Sequence, residues 1–504
     1  MTHANTPDHT LWSSRAALLV SKGIEGRAFI DGHYVDAADG TTFDAHSPID
    51  GRLLTKVAAG SAADIDRAVA AARRAFNDRR WAGKSPVQRK RILLAFADLI
   101  AQHRDELALL ETLDMGKPIS DSLAVDVRAT ADCFRWYAEA IDKVYDEIAP
   151  TADNTLATIT REPLGVIAAV VPWNFPMIMA AWKLAPALAA GNSVVLKPAE
   201  QSSLTALRLA GLAQQAGLPD GVLNVVPGMG VSAGKAIGLH MDIDGVFFTG
   251  STEVGKYFLQ YSGQSNMKKI GLECGGKSAH IILEDCGDLD AAASSAAEAI
   301  FFNQGEMCTA GSRLVVHRAV KDAVVERIRA HAETVQPNDP LNPATRMGAL
   351  VDENHTRTVL GFIDAGQVDG ARVVTGGKRA RTESGGCYVQ PTIFDNVTNS
   401  MRIAREEIFG PVLSVITVDS ADEAVQVAND SIYGLAAAVW SDNVNTINRV
   451  ARSLRAGVVY MNCYDADDIT TPFGGYKQSG IGRDKSLHAF DKYTELKTSW
   501  LRLR

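Results

Sequence analysis

The stretch FFNQGEMCTAGSR, residues 301–313, sets Cys308 in a short polar loop with Gly305 on one side and Gly311 on the other. Glycines around a thiol mark a backbone that turns sharply or is approached closely. The chemistry open to such a side chain is nucleophilic attack by its thiolate. A cysteine that only packs belongs on an apolar face, since free cysteine is among the most buried residue types; taken alone, the loop fits a nucleophile or an idle thiol. A second candidate is Glu273 in ECGGK, a glycine-rich turn suited to exposing a reactive side chain. The peptide GSTEVG (250–255) has glycines at the first and sixth positions of the dinucleotide fingerprint, but Thr252 replaces the middle one. That fingerprint calls for a ribose-binding acid about 20 residues on. Glu273 lies near that spacing, yet its glycine-rich turn argues for a reactive role instead.

These groups need elements to hold them. LDAAASSAAEAIFFN, from Leu289, reads as a helix leading into the thiol loop, and SRLVVH, from Ser312, as a strand leaving it. Ser61 and Asp64 stand in capping-box spacing at the start of a helix over 61–80, with Ile65, Val69, Ala72 and Phe76 on one face. Two more helical patterns follow, the first running from about Val87 to Leu113 and stopping at Gly116–Pro118. From Gly165, strand-like runs (GVIAAVV, NSVVLKP, GVLNVVPG, GVFFTG) alternate with helix-like ones, and a second alternating series runs from near Ser278 to about Asn462. Such alternation predicts parallel sheets flanked by helices, hence a doubly wound α/β domain. PWNFP (172–176), KPAE (197–200) and GSTEVG then all fall where strands end, the edge at which open α/β sheets bind ligands.

Composition closes other routes. The 504 residues, 46% apolar and 22% charged, are ordinary for a soluble globular chain of two to four domains. A net charge of −8 argues against a nucleic-acid partner. The N-terminus MTHANTPDHT has no basic flank and no apolar h-region, so no secretory signal is expected. The longest apolar region, Gly165–Ala190, is broken by Pro172, Asn174, Pro176, Lys183 and Pro186, so no membrane span is expected and the cytoplasm is the default. The six cysteines form no CxxC pair, and the histidines no HExxH, so neither a disulfide framework nor a metal site is expected.

PWNFP, KPAE, FTGSTEVG, ECGGKS, NQGEMCTAGSR, EEIFGPV (406–412) and PFGGYKQSGIGR (472–483) occur in a fixed order. Together they resemble the aldehyde dehydrogenase superfamily over nearly the whole chain, from about Gly26 to the end. RWYAEAIDKVY (135–145) and GRDKSLHAFDKYTELKT (482–498) resemble γ-glutamyl-γ-aminobutyraldehyde dehydrogenases and related bacterial amino-aldehyde dehydrogenases. The resemblance implies an NAD-binding domain (1–145 and 165–275), a catalytic α/β domain (276–480) and a small β oligomerisation element (146–164 and 481–504) that pairs with another copy as a dimer or tetramer.

The resemblance also assigns roles. Cys308 attacks the aldehyde carbon, Asn174 and the backbone N–H of Cys308 stabilise the alkoxide, and Glu273 activates the water that hydrolyses the thioester. Lys197 and Glu200 match the adenosine-ribose positions; Glu200 would repel a 2′-phosphate and so favours NAD over NADP. Ser251, after Gly250, matches the pyrophosphate side, Glu407 and Phe409 match the nicotinamide side, and Trp173 and Gly230 are further cofactor-binding positions. Glu306 is usually glutamine in this family and is expected to point away from Cys308, since a nearby carboxylate would raise the thiol's pKa. Cys274 stands where leucine is usual, and the other cysteines are read as packing residues. In NCYDADDITTPFGG, Asp467 occupies the position of a tunnel aromatic, with Asp468 beside it; Asp126, Phe473 and Trp182 complete the expected tunnel, and Asp465 is read as a solvated acid. An acid at a tunnel mouth suits a cationic substrate, here an ω-amino aldehyde from polyamine breakdown. A broad-specificity, betaine-aldehyde or guanidinobutyraldehyde dehydrogenase is the alternative. A CoA-acylating enzyme fits less well because Glu273 is present, and a non-catalytic cofactor-binding protein because Cys308, Glu273 and Asn174 are all intact.

Overall fold

The computed structural model describes residues 9–504; Met1–Asp8, most of the segment in which no secretory signal is read, lie outside the described residues. Two sheets dominate. The first has eight strands in the order His33–Val35, Ala28–Ile30, Leu223–Val225, Ser193–Lys197, Val166–Val170, Gly245–Thr249, Lys269–Glu273 and Gly480–Ile481. Its five central strands are mutually parallel. In chain order they lie 3-2-1-4-5, a doubly wound arrangement whose direction reverses between Val166–Val170 and Gly245–Thr249. Both these strands, and Ser193–Lys197, are buried at every position, as their continuous apolar runs require when helices cover both faces.

The helices that cover this sheet follow their local signals. Ser61 and Asp64 form the expected capping box on Ala62–Asn77, which buries Ile65, Ala68, Val69 and Ala72. Pro176–Ala190 starts on a proline at its first turn and stops at Gly191, whose φ of +104° ends the helix in the left-handed region. The single helical pattern read over Val87–Leu113 is two helices, Pro86–Gln102 and Arg104–Met115, broken at His103.

The second sheet has seven strands: Arg372–Thr375, Thr392–Asp395, Val412–Val418, Arg313–His317, Ala279–Ile282, Ala436–Trp440 and Val458–Met461. All but the first are parallel to their neighbours. A separate three-stranded antiparallel sheet joins Thr494–Arg502, Thr155–Pro163 and Glu147–Ala149. Of the C-terminal segment expected there, the sheet takes only Thr494 onward. Gly480–Ile481 extends the first sheet, and Phe490 and Tyr493 pack in its core, because their rings fill space against Tyr137 and Phe247.

Among the described residues no helix is long and apolar enough to cross a membrane, no group of metal-binding side chains is found, and all six cysteines are free.

Candidate active site

The parallel strands of the first sheet end on one edge. PWNFP follows Val166–Val170, KPAE begins at the last residue of Ser193–Lys197, Gly250 follows Gly245–Thr249, and Glu273 is the last residue of its strand. The thiol loop reaches this edge from the second sheet, between helix Leu289–Phe301 and strand Arg313–His317. To do so it reverses through three consecutive residues of positive φ: Asn303 (47°), Gln304 (57°) and Gly305 (73°). A side chain at Gly305 would strike the carbonyl of Gly410, so close approach as well as conformation demands glycine there. Asn303 and Gln304 hold a conformation that costs non-glycine residues free energy, and it persists because the surroundings fix it. The Asn303 amide donates to the carbonyls of Asn174 and Glu306, both at 3.2 Å, and the Gln304 side chain takes the Gly348 N–H at 3.0 Å.

Cys308 emerges from this turn half-buried at the end of a cavity of about 670 Å³. Its thiol is held well above the ordinary cysteine range, first by burial and then by the carboxyls of Glu273, Glu407 and Asp465. Asn174 is buried, and its amide donates to the Glu306 carbonyl at 2.8 Å, which ties the oxyanion candidate to the thiol loop. Glu273 is buried too, with one carboxylate oxygen lacking any partner. Burial, then the charge of Asp484, pushes it well above the carboxylate range, against the pull of Lys183 and Lys492. A buried carboxyl with an unpartnered oxygen has a raised affinity for a proton, a property that suits a general base. The Glu306 carboxyl is turned into the protein, where it accepts the Val351 N–H at 3.0 Å, with the Gln304 amide nearby; burial raises it well above its ordinary range.

The cofactor candidates line the same sheet edge. Lys197 is buried, with its ammonium 2.9 Å from the Pro198 carbonyl and 3.4 Å from Glu200, which is half-buried. Ser251 is exposed and caps helix Thr252–Gln264, its hydroxyl taking the Val254 N–H at 3.3 Å. Gly230 opens an exposed turn with nothing within 4 Å of where a Cβ would stand. Glu407 accepts the Gly276 N–H at 3.0 Å, and burial lifts its carboxyl to about 7. Trp173 packs edge-on against Phe409, ring centroids 5.2 Å apart, and against His355 at 5.1 Å. His355 bonds the Phe409 carbonyl at 2.7 Å and so holds this cluster; an isolated histidine early in a helix carries no sequence signal, and the sequence reading passed over it.

The cavity wall revises the expected tunnel. Trp182 and Phe473 line it, ring centroids 5.1 Å apart. Phe175, just before helix Pro176–Ala190, and Met179 join Trp182, and their i, i+4, i+7 spacing was a readable signal for one shared face. Asp126 is not in the wall. It is buried against Lys117, 2.6 Å away, because a carboxylate so enclosed needs a cation; its neighbours Val125 and Ala129 face the cavity instead. Asp468 is exposed and folds back on Thr470, 2.6 Å from its hydroxyl, so it also lies off the tunnel. Asp467 does line the cavity, paired with the buried ammonium of Lys485. Asp465, read as a solvated acid, lies in the wall as well: a positive φ of 49° turns it inward, and burial raises its carboxyl to about 7.

A thiol on a strained loop, an amide beside it, a buried carboxyl with an unpartnered oxygen, and the acids Glu200 and Glu407 together form one candidate site. Residues 34–499 match the aldehyde dehydrogenase family, and the chain belongs to that family: it is an oxidoreductase acting on aldehydes. It is 52% identical to the NADP/NAD-dependent aldehyde dehydrogenase PuuC of Escherichia coli K12 over 98% of both chains. Among solved structures it superposes with a TM-score of 0.96 on γ-glutamyl-γ-aminobutyraldehyde dehydrogenase of Burkholderia cenocepacia, at 59% identity over 98% of this chain and 100% of that one. An indole-3-acetaldehyde dehydrogenase complexed with NAD+ is equally similar, at 59% identity, a TM-score of 0.97, and 98% and 99% coverage.

Proposed function

We propose that this protein oxidises ω-amino aldehydes to the corresponding carboxylates, with NAD as the hydride acceptor. Cys308 adds to the aldehyde carbon and forms a thiohemiacetal. The Asn174 amide and the Cys308 backbone N–H donate to the oxygen on which negative charge develops. NAD, when bound, supplies acceptance of the hydride. Glu273 then takes the proton of the water that attacks the thioester on Cys308, releasing the acid and restoring the thiol.

The residues at the sheet edge suit this cofactor. The Lys197–Glu200 pair offers a cation and an acceptor for ribose hydroxyls, and the acid disfavours a 2′-phosphate. The 13-residue helix that Ser251 caps presents an N-terminus suited to a pyrophosphate. Beside Gly230 there is open space for the cofactor's approach. Glu407, Trp173 and Phe409 would hold the nicotinamide side. We also read the three-stranded sheet as a subunit contact that makes the enzyme a dimer or tetramer, and the cytoplasm as its compartment.

The observation that carries the substrate class is the group of acids Asp465, Asp467 and Glu298 in a largely apolar wall that includes Cys308. A charge-assisted contact with one of them is worth roughly 1.5–3 kcal/mol, or about tenfold to a hundredfold in kcat/KM. Kinetics with 4-aminobutanal, its neutral analogue pentanal and indole-3-acetaldehyde test it. The amino aldehyde should lead by at least about tenfold; equal or better turnover of either neutral aldehyde refutes the reading.

A further inference from the structure

Three carboxylates line the substrate cavity: Glu298, Asp465 and Asp467. Two of them are already matched with cations. Glu298 lies against Arg346 and within 3.2 Å of His331. Asp467 is held by Lys485, whose ammonium is buried and also sits over the rings of Trp182, at 5.5 Å, and Phe473, at 5.9 Å. A buried ammonium that loses its carboxylate is left uncompensated, so Asp467 is costly to recruit away from Lys485. The same lysine occupies the two aromatic faces nearest Asp467.

Asp465 differs in each respect. No cation pairs with it among the described residues. Its one bonding partner is the side chain of Thr309, the residue next to Cys308. The rings of Tyr460 and Tyr464 stand beside it in the same wall, 4.9 Å apart, and carry no cation among the described residues. The Tyr464 hydroxyl donates to the Thr309 carbonyl at 2.5 Å, which fixes that ring against the thiol loop. One side of Tyr464 is covered by the stacked ring of His280, centroids 5.1 Å apart; a carboxylate beside the two tyrosine rings is a receptor for an ammonium group, combining charge with cation–π attraction.

We propose that Asp465, with Tyr460 and Tyr464, takes the cationic end of the substrate, and that Lys485 excludes Asp467 from that role. This rests on the amino-aldehyde reading above and sharpens it, because it moves the charge-reading group from the tunnel position first suggested by sequence to one beside the nucleophile. The bound ammonium also faces the carboxyl that helps keep the Cys308 thiol protonated, so a cationic substrate offsets a repulsion that a neutral one leaves in place.

The test compares 3-aminopropanal with its neutral isostere butanal in wild type, Asp465→Asn and Asp467→Asn. The ratio of kcat/KM values, amino aldehyde over butanal, should fall at least about tenfold in Asp465→Asn and less than about threefold in Asp467→Asn. Propylamine, which has no aldehyde, should inhibit butanal oxidation competitively in wild type and lose that inhibition in Asp465→Asn, a loss that a merely structural role for Asp465 would not produce. The assignment is overturned if Asp467→Asn carries the loss of ratio, or if Asp465→Asn lowers both substrates equally and keeps propylamine inhibition. Wild type with a clear preference for 3-aminopropanal that survives Asp465→Asn sinks this assignment alone. Wild type with no such preference sinks the amino-aldehyde reading and this assignment with it.

Discussion

The Cys308 thiol is protonated more firmly than an ordinary cysteine, because burial and then the carboxyls of Glu273, Glu407 and Asp465 all disfavour its anion. In the cofactor-free enzyme its alkylation by iodoacetamide should therefore keep rising with pH beyond about 9, where an ordinary exposed thiol levels off. The sign follows from the neighbours: removing a negative group lowers the thiol's pKa, so Glu273→Gln should shift the profile to lower pH. Peptide mapping separates Cys308 from the half-buried Cys463 and from Cys274. A profile that levels off at ordinary pH, or one that Glu273→Gln leaves in place, contradicts this account of the site. At this scale the sequence was informative where a motif surrounds the residue. That Cys308, Glu273 and Asn174 stand in turns at element ends was legible from their flanking glycines and prolines. Asp126, Asp465 and Asp468 were misplaced, because the direction in which an acid points depends on its nearest cation and its own φ, and neither is written beside it.

Elements hold the site through contacts that leave no room. A Cβ at Gly276 would overlap the carbonyl oxygen of Cys308, and one at Gly275 the carboxylate of Glu407. The turn after Glu273 thus sets the height of Cys308 and of Glu407 together. Gly276→Ala should lower kcat at least about tenfold by displacing the thiol loop, since small misplacements of reacting groups carry such costs. The alkylation rate of Cys308 should change with it, while circular dichroism stays native. Normal kcat in a folded Gly276→Ala protein would mean that the loop is free to move and that the contact does not set the geometry. The strand–helix alternation of Gly165–Thr249 was readable, since buried parallel strands show as short apolar runs, but the strand Lys269–Glu273 was not, being read only as a glycine-rich turn. The break at His103 was not: the apolar spacing continues across it, and only the backbone there departs from helix.

At the scale of the whole molecule, one edge remains open in a single copy of the chain. Strand Thr494–Arg502 pairs along its full length with Thr155–Pro163 on one side, and among the described residues no strand lies on the other. It also shows solvent Leu496, Trp500 and Leu501, between 55% and 68% exposed, while Ile148 on the opposite edge strand is 74% exposed. A long edge bearing large apolar side chains is a template for another chain. Domain boundaries were only partly legible here, because residues 481–493 look in sequence like a lead-in to the terminal strand yet pack against the first sheet. That packing anchors the strand's base and leaves its outer edge free for a partner. If the proposed subunit contact forms along this edge, replacing both Leu496 and Trp500 with Asp should split it by placing charges in a desolvated contact, without touching the core. Sedimentation should move from a multiple of 53.9 kDa toward the mass of one chain. A wild-type protein that already sediments as a monomer, or a double variant whose mass does not change, would show that this edge is not where subunits meet.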